Sequence, residues 1–417
     1  MRTLYSYLLL IILAVTFTSC EQQQTQERQH HAVPGVSATE ILVGSSLPLS
    51  GHASYLGRQT LRGAMAYIKH VNEDGGVFGR TIHVIAEDDG YDPPRCLANT
   101  QKLIIDDNVF ALFCYVGTPT TVKIIPLVDE AQIPLVGSFT GANALREPYN
   151  RYIINIRASY YQETAAAVEH LVEDLDFTDI AVFYQYDAYG FDGLKGTELA
   201  LKEYDLAPVA RGTYVRGTQD VEDGMQKIID SDAQAVVMIG TYAPCAKFIR
   251  LATEQRPDLV FYVVSFVGAD EIARILSPQN QSVVIMSQVV PPPDLPESRT
   301  LLWGAVEYSD LLKRYFPTDQ PNTVGLEGFI NAKVLVEGLR RCGPDLTRER
   351  FINAVDSIKN YSLGIANTLS FGPNQHQGLE RVYFTRLYDG KFVLITDWSK
   401  IKSLVRQKER PATKTGQ

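Results

Sequence analysis

The chain predicts an α/β protein of two lobes, each built on a doubly wound parallel sheet. Three observations carry this. From Glu40 onward, short apolar strand runs alternate with amphipathic helices, the pattern that covers both faces of a parallel sheet. The alternation runs through residues 41–137 and begins again near residue 153. The chain beyond residue 38 is also too long for one compact core, since single cores stop growing near ~250–300 residues.

The elements follow in order. Residues 41–44 form the first strand, and a loop with Pro48, Ser50 and Gly51 leads to a helix on which Leu61, Met65, Ile68 and Val71 recur at helical spacing. Gly75-Gly76 stops that helix, and residues 81–86 make the second strand. A helix over 95–105, a strand over 109–115, a helix over 120–131 and a strand over 134–137 complete the first series. The second series opens at 153–156. It runs through a helix over 163–175, strand 180–184, helix 193–203, strand 235–239, helix 246–254 and strand 260–264. After Pro291-Pro292-Pro293 come helices over 301–315 and 328–341. Strand runs over 381–388 and 391–397 close the series, joined at Asp389-Gly390, a strong hairpin signal.

The two ends of the chain read differently. Residues 1–19 have a positive start at Arg2, an apolar run over 8–15 and small polar residues before Cys20, resembling a bacterial lipoprotein signal with Cys20 as lipid acceptor. Phe17 stands where Leu is more usual. The apolar run is too short to span a bilayer, which needs ~20 residues. Residues 21–38 are polar and Gln-rich, as in a tether. At the other end, the basic stretch 400–417 reads as a solvated, frayed tail. The chain as a whole is 45% hydrophobic and 21% charged, with a formal net charge of −9, which becomes −10 without Arg2 and argues against nucleic acid.

Besides Cys20 there are four cysteines, Cys96, Cys114, Cys245 and Cys342, with no CxxC spacing to suggest a metal or a redox pair. Cys96 falls in a predicted helix and Cys114 at the end of the adjacent strand. Either a Cys96–Cys114 bridge or two buried thiols fits that placement. The sequence has no GxSxG, HExxH, P-loop or strand-borne GxGxxG, its seven histidines are scattered, and Asp88-Asp89 and Asp106-Asp107 read as solvated or capping pairs. No enzyme, cofactor or metal site is expected.

Several segments in register, Leu47-Pro48-Leu49-Ser50-Gly51, NEDGGVFGR at 72–80, EDDGYDP at 87–93, Gly117-Thr118 with Pro126, and Ala188-Tyr189-Gly190, resemble one family. These are the extracellular solute-binding proteins of branched-chain amino acid ABC transporters, the leucine/isoleucine/valine-binding type. The resemblance runs from Ile41 to Trp398. It implies the type I periplasmic binding fold, with three hinge crossings placed near Arg157, Gln288 and Arg381. The divisions that follow are a signal at 1–19, a tether at 20–38, a first lobe at 39–157 plus 289–380, a second at 158–288 plus 381–402, and a flexible tail at 403–417.

Ligands of open α/β sheets bind beyond the carboxyl ends of the strands. Thr118 in the loop after the third strand fits such a site, with helix capping as its other reading. The resemblance adds Phe139, Thr140 and Gly141 in the next loop, on the same ligand carboxylate. From the second lobe, Tyr189 and Tyr242 match positions where the family lays aromatics over the ligand, and Tyr55 of the first loop lines the cleft similarly. Among 22 tyrosines, only loop position singles these out. Where the family carries an acid for the ligand ammonium, this chain has Phe266 or Val267. A second expected acid meets Ala158-Ser159-Tyr160-Tyr161. Since an unpaired buried ammonium costs several kcal/mol, either Asp187, Asp192 or Asp270 moves in or the ligand carries no amine; the second is preferred. The expected protein is a lipid-anchored solute-binding protein of the periplasm or cell surface. It would capture a small organic molecule for an ABC permease, or serve as a ligand sensor or as the binding part of another trafficking system.

Overall fold

The computed structural model describes residues 33–276, 281–293 and 302–409; the signal segment, Cys20, the tether up to residue 32 and the tail from residue 410 lie outside them. The first lobe is built on strands β1 (Glu40–Leu47), β2 (Thr81–Asp88), β3 (Ala111–Phe113), β4 (Leu135–Val136) and β5 (Ile153–Ile154). They form one sheet in the order β2-β1-β3-β4-β5, every pair parallel. Helices α1 (Ser54–Glu73), α2 (Pro93–Ile105), α3 (Thr118–Lys123) and α4 (Ile125–Ala131) are the crossovers. Asp92 caps α2 by accepting from the Arg95 N–H at 3.1 Å.

The second lobe carries α5 (Tyr160–Glu169), β6 (Ile180–Gln185), α6 (Ala188–Lys202), β7 (Arg211–Tyr214), α7 (Glu222–Ile229), β8 (Ala235–Ile239), α8 (Tyr242–Gln255), β9 (Val260–Val263), α9 (Ala269–Leu276) and β10 (Val283–Gln288). Every residue of β6, β8, β9 and β10 is buried, as expected of strands covered on both faces. The chain then returns to the first lobe as α10 (Trp303–Tyr315), α11 (Thr323–Cys342), α12 (Arg348–Asp356) and a small hairpin, β11 (Tyr361–Ser362) with β12 (Thr368–Leu369). It ends in the second lobe with β13 (Tyr383–Tyr388), β14 (Lys391–Leu394) and α13 (Trp398–Glu409). The second sheet has the order β14-β13-β10-β9-β8-β6-β7, with β13 and β14 antiparallel to their neighbours.

Residues 403–409, expected in a frayed tail, belong to α13. Trp398, Ile401 and Val405 recur on one helical face, and Ile401 and Val405 are buried in the second lobe's core. Lys402 pairs with Asp176 at 2.6 Å. The basic side chains that suggested solvation occupy the outer face of a docked helix.

Of the two readings left open for Cys96 and Cys114, the structure has the buried thiols and not the bridge. Strand alternation would turn Leu112 and Cys114 to one face of the sheet, but Cys114 adopts φ 53° and swings onto the face of Phe113. There its sulfur accepts from Asn331 Nδ2 at 3.6 Å, while Cys96 lies in the core on the opposite face with Leu112 and Tyr115.

Two of the passages between lobes run side by side. The Asn155 N–H donates to His376 O at 2.9 Å, and the Gly378 and Leu379 N–H groups donate to the carbonyls of Asn155 and Ile156 at 3.0 and 2.8 Å. Just past this joint, Arg157 is buried between two carboxylates, Glu163 of α5 at 3.1 Å and Glu327 of α11 at 3.3 Å. Glu163 accepts further from the Ser265 N–H at 2.9 Å, the Ser265 hydroxyl at 2.8 Å and the Ser287 hydroxyl. The Ser265 hydroxyl also lies against Arg157 Nη2. A buried ion pair persists only when its remaining lone pairs and protons are matched in this way. Replacing Glu163 by Gln should therefore cost about 3–5 kcal/mol of unfolding free energy, because the Arg157 charge is left under-compensated, measured as a lowered urea midpoint against wild type. Cys96, Cys114, Cys245 and Cys342 should resist a thiol reagent in the folded protein and react in guanidinium; loss of reactive thiols under non-reducing denaturation would reveal a bridge.

Candidate functional site

The loops after β3 and β4 lie side by side at the carboxyl edge of the first sheet. The Phe139 N–H donates to Tyr115 O at 2.7 Å and the Gly117 N–H to Phe139 O at 3.2 Å. Gly117 has φ 101°, and a Cβ there would sit 2.1 Å from the Tyr91 ring, so both backbone and space require glycine. This stitching brings Thr118 and Thr140 together, with their hydroxyls 2.7 Å apart. The Thr140 hydroxyl also accepts from the Ala142 N–H at 3.2 Å. The two expected carboxylate anchors are thus bonded to each other. Gly141 is pressed against the start of α5, where its carbonyl accepts from the Tyr160 N–H at 2.8 Å.

Tyr91 reaches this edge from the loop after β2, which Asp88 and Asp89 shape. Asp88 accepts from the Ser50 hydroxyl and from the Leu49, Ser50 and Gly90 N–H groups, and these bonds outweigh its burial and hold it at about 2. Asp89 is instead pushed up to about 6 by burial, although it accepts from the Tyr91 N–H at 2.8 Å and the Ser46 hydroxyl at 2.9 Å. This acidic pair builds the loop, and the expected solvated role does not describe Asp89, which is buried.

Across the cleft, Phe266 stands on a single 3₁₀ turn, Ser265–Val267, fully buried. Its ring centroid lies 4.8 Å from Tyr189, 5.6 Å from Phe139 and 6.0 Å from Tyr91. Tyr160 extends the cluster to 5.2 Å from Tyr189, whose hydroxyl donates to Gly240 O at 3.1 Å. Four rings, Tyr91, Phe139, Tyr160 and Tyr189, therefore gather with Phe266, which together with Val267 was the expected place of the missing acid. Val267 is buried beside it in the second lobe's core. Tyr55 and Tyr242 form a separate edge-to-face contact between the lobes at 6.2 Å.

The acids that might have replaced the missing pair are otherwise engaged. Asp187 caps α6 through the Tyr189 N–H at 3.0 Å and accepts from Gln185 Nε2 at 2.7 Å. Asp192 accepts from the Asn143 N–H of the first lobe at 3.0 Å; burial pushes it up to about 6, with that N–H and Arg146 drawing it back. Asp270 opens α9 beside Tyr55. What the sequence reading missed is the buried charge beneath the rings. The Arg157 guanidinium lies 4.9 Å from the Phe139 ring and 5.8 Å from the Tyr160 ring. Burial disfavours its charge, but Glu327 and Glu163 more than compensate and raise its pKa. Arg157 was visible only as a hinge position, and Glu163 only as the start of a predicted helix. Among the described residues no cluster of His, Cys, Asp and Glu is arranged to hold a metal ion.

Known proteins share this two-lobed architecture. A structure from Rhodopirellula baltica, described as a possible leucine/isoleucine/valine-binding protein, is 34% identical, with a TM-score of 0.81 over 88% of this chain and 99% of that one. A Leu/Ile/Val-binding protein homologue from Brucella abortus is 22% identical over 86% of this chain and 92% of its own length. The substrate-binding protein of a fatty acid ABC transporter from Thermomonospora curvata shares the fold at 19% identity and a TM-score of 0.75, covering 88% and 95% of the two chains. The periplasmic binding protein family model matches residues 40–391, and this shows that the chain belongs to that family.

Proposed function

We infer that the chain works as a non-enzymatic, extracytoplasmic solute-binding protein of the leucine/isoleucine/valine-binding type. We propose that its ligand is a small organic compound without an amine, an aromatic carboxylate above all, delivered to an ABC permease by a protein anchored through a lipid on Cys20. The observation that carries the ligand reading is Phe266, whose ring, packed on Phe139, Tyr91 and Tyr189, stands where an ammonium partner is expected. The nearest buried acids do not supply a replacement. Glu163 is matched by Arg157 and two serines, and Glu327 faces the same arginine. An ammonium brought among these rings would lose its hydration without a free counter-charge, a cost of several kcal/mol. A flat apolar ligand gains instead from ring contacts worth about 0.5–1.5 kcal/mol each beyond area burial. That the same fold serves a fatty acid ABC transporter in T. curvata supports its compatibility with amine-free carboxylates.

In a thermal-shift screen pairing leucine and phenylalanine with 4-methylpentanoate and 3-phenylpropanoate, the deaminated member of each pair should stabilise the protein. At about 100 times Kd the stabilisation is about 2.7 kcal/mol. Stabilisation by the amino acids alone would overturn the ligand reading. Cys20→Ala should move the protein from the membrane to the soluble fraction of fractionated cells; unchanged membrane association would overturn the lipid anchor.

A further inference from the structure

Four buried polar atoms on the hinge side of the ring cluster make no well-formed hydrogen bond: Arg157 Nε, Arg157 Nη1, which has only the Glu327 carboxylate at 3.3 Å, the Tyr160 hydroxyl, which lies towards Thr140, and the Ser138 hydroxyl. Their residues are only 4%, 0% and 5% exposed. Groups buried this way are normally satisfied, and leaving them unmade is costly. All four can donate, and Arg157 can do nothing else. The sequence-expected anchors, Thr118 and Thr140, are by contrast already bonded to each other. The geometry points to Arg157, Tyr160 and Ser138 as the anchor for the anionic end of the ligand, an aromatic carboxylate whose ring enters between Phe266 of the second lobe and Phe139 of the first. This deepens the proposed function and rests on its amine-free reading.

Charge supports the assignment. Arg157 already faces Glu163 and Glu327, and a third carboxylate is accepted only if one of these gives up its charge. Glu163 is already matched by the Ser265 N–H, two serine hydroxyls and the guanidinium. Glu327 has only Arg157 at 3.3 Å, and its burial, with Glu163 adding repulsion, pushes it up to about 7 against the pull of Arg157. The groups facing Glu327 are Arg157 from the hinge, Glu163 from α5 and the Cys114 thiol past β3. When Glu327 takes up a proton, Arg157 Nη1 is released to the incoming carboxylate. Glu327 is mostly neutral below pH 7, so carboxylate binding is strongest there and weakens as pH rises through that value.

The test is isothermal calorimetry on the full chain in mild detergent, with 3-phenylpropanoate, phenylalanine and the neutral 3-phenylpropanamide as probes. The expected result is binding of 3-phenylpropanoate alone, weakened at least tenfold in Arg157→Lys and several-fold in Tyr160→Phe and Ser138→Ala. Affinity should fall about tenfold between pH 6 and pH 8, as one protonation near 7 requires, and Glu327→Gln should flatten that profile. If Thr118→Val and Thr140→Val abolish binding while Tyr160→Phe and Ser138→Ala leave it intact, the anchor is wrong and the amine-free reading stands. Phenylalanine binding without 3-phenylpropanoate overturns that reading itself. No heat from 3-phenylpropanoate, or equal binding of the amide, overturns the anchor. Independently of any ligand, Tyr160→Phe should leave the melting temperature unchanged or raised; a drop of several degrees would mean that the hydroxyl has a partner within the protein, against the proposal.

Discussion

The buried ion pair between Arg157 and Glu163 holds the architecture together where it is weakest, at the passage from one lobe to the other. A guanidinium and a carboxylate removed from water lose several kcal/mol of hydration each, a cost offset here by donors and acceptors supplied from separate elements. Here those elements are the first crossing, the start of α5, the 3₁₀ turn after β9, and β10. The pair thus ties the orientation of the crossing to the position of the loop bearing Phe266. Whatever moves Arg157 moves the aromatic face of the second lobe with it.

Around that pair the cleft divides its labour. Lobe-edge loops provide shape: Gly117 allows the Tyr91 ring to approach, and the Thr118–Thr140 contact locks two adjacent loops. Rings from both sides provide the apolar surface. Polar atoms with spare capacity lie on the hinge side, at Arg157, Tyr160 and Ser138, and at His52 behind Tyr91. A binding site needs few polar groups if they converge on one end of the ligand and the rest of the wall is apolar.

The alternation of strands and helices was legible because parallel strands buried on both faces read as unbroken apolar runs, as in β6 and β8 to β10. Candidate loops were legible for a related reason, since sheet edges fall where those runs stop. Phe139, Tyr189 and Phe266 do meet, although sequence alone carries no information on how far apart side chains of different lobes lie. The misses came from the same blindness. The choice between a Cys96–Cys114 bridge and two buried thiols stayed open because the left-handed backbone at Cys114 reverses strand alternation, and a lone cysteine gives no sign of that. The stretch 400–409 was read from its charges, when Trp398, Ile401 and Val405 at helical spacing carried the stronger signal. Arg157, Glu163 and Glu327 are 6 and 170 residues from one another along the chain in the two ion pairs they make, so no local motif announces them.

The discontinuous path of the chain bears on its biogenesis. The first sheet is covered by α11, and the second is extended by β13 and β14, all of them from the last hundred or so residues. Until that stretch is available, β10 has an open edge and α1 lacks the helix it packs against most extensively. Neither lobe can therefore be completed from a contiguous length of nascent chain. Such a chain completes neither lobe until synthesis is nearly finished, which suits a polypeptide that works outside the cytoplasm.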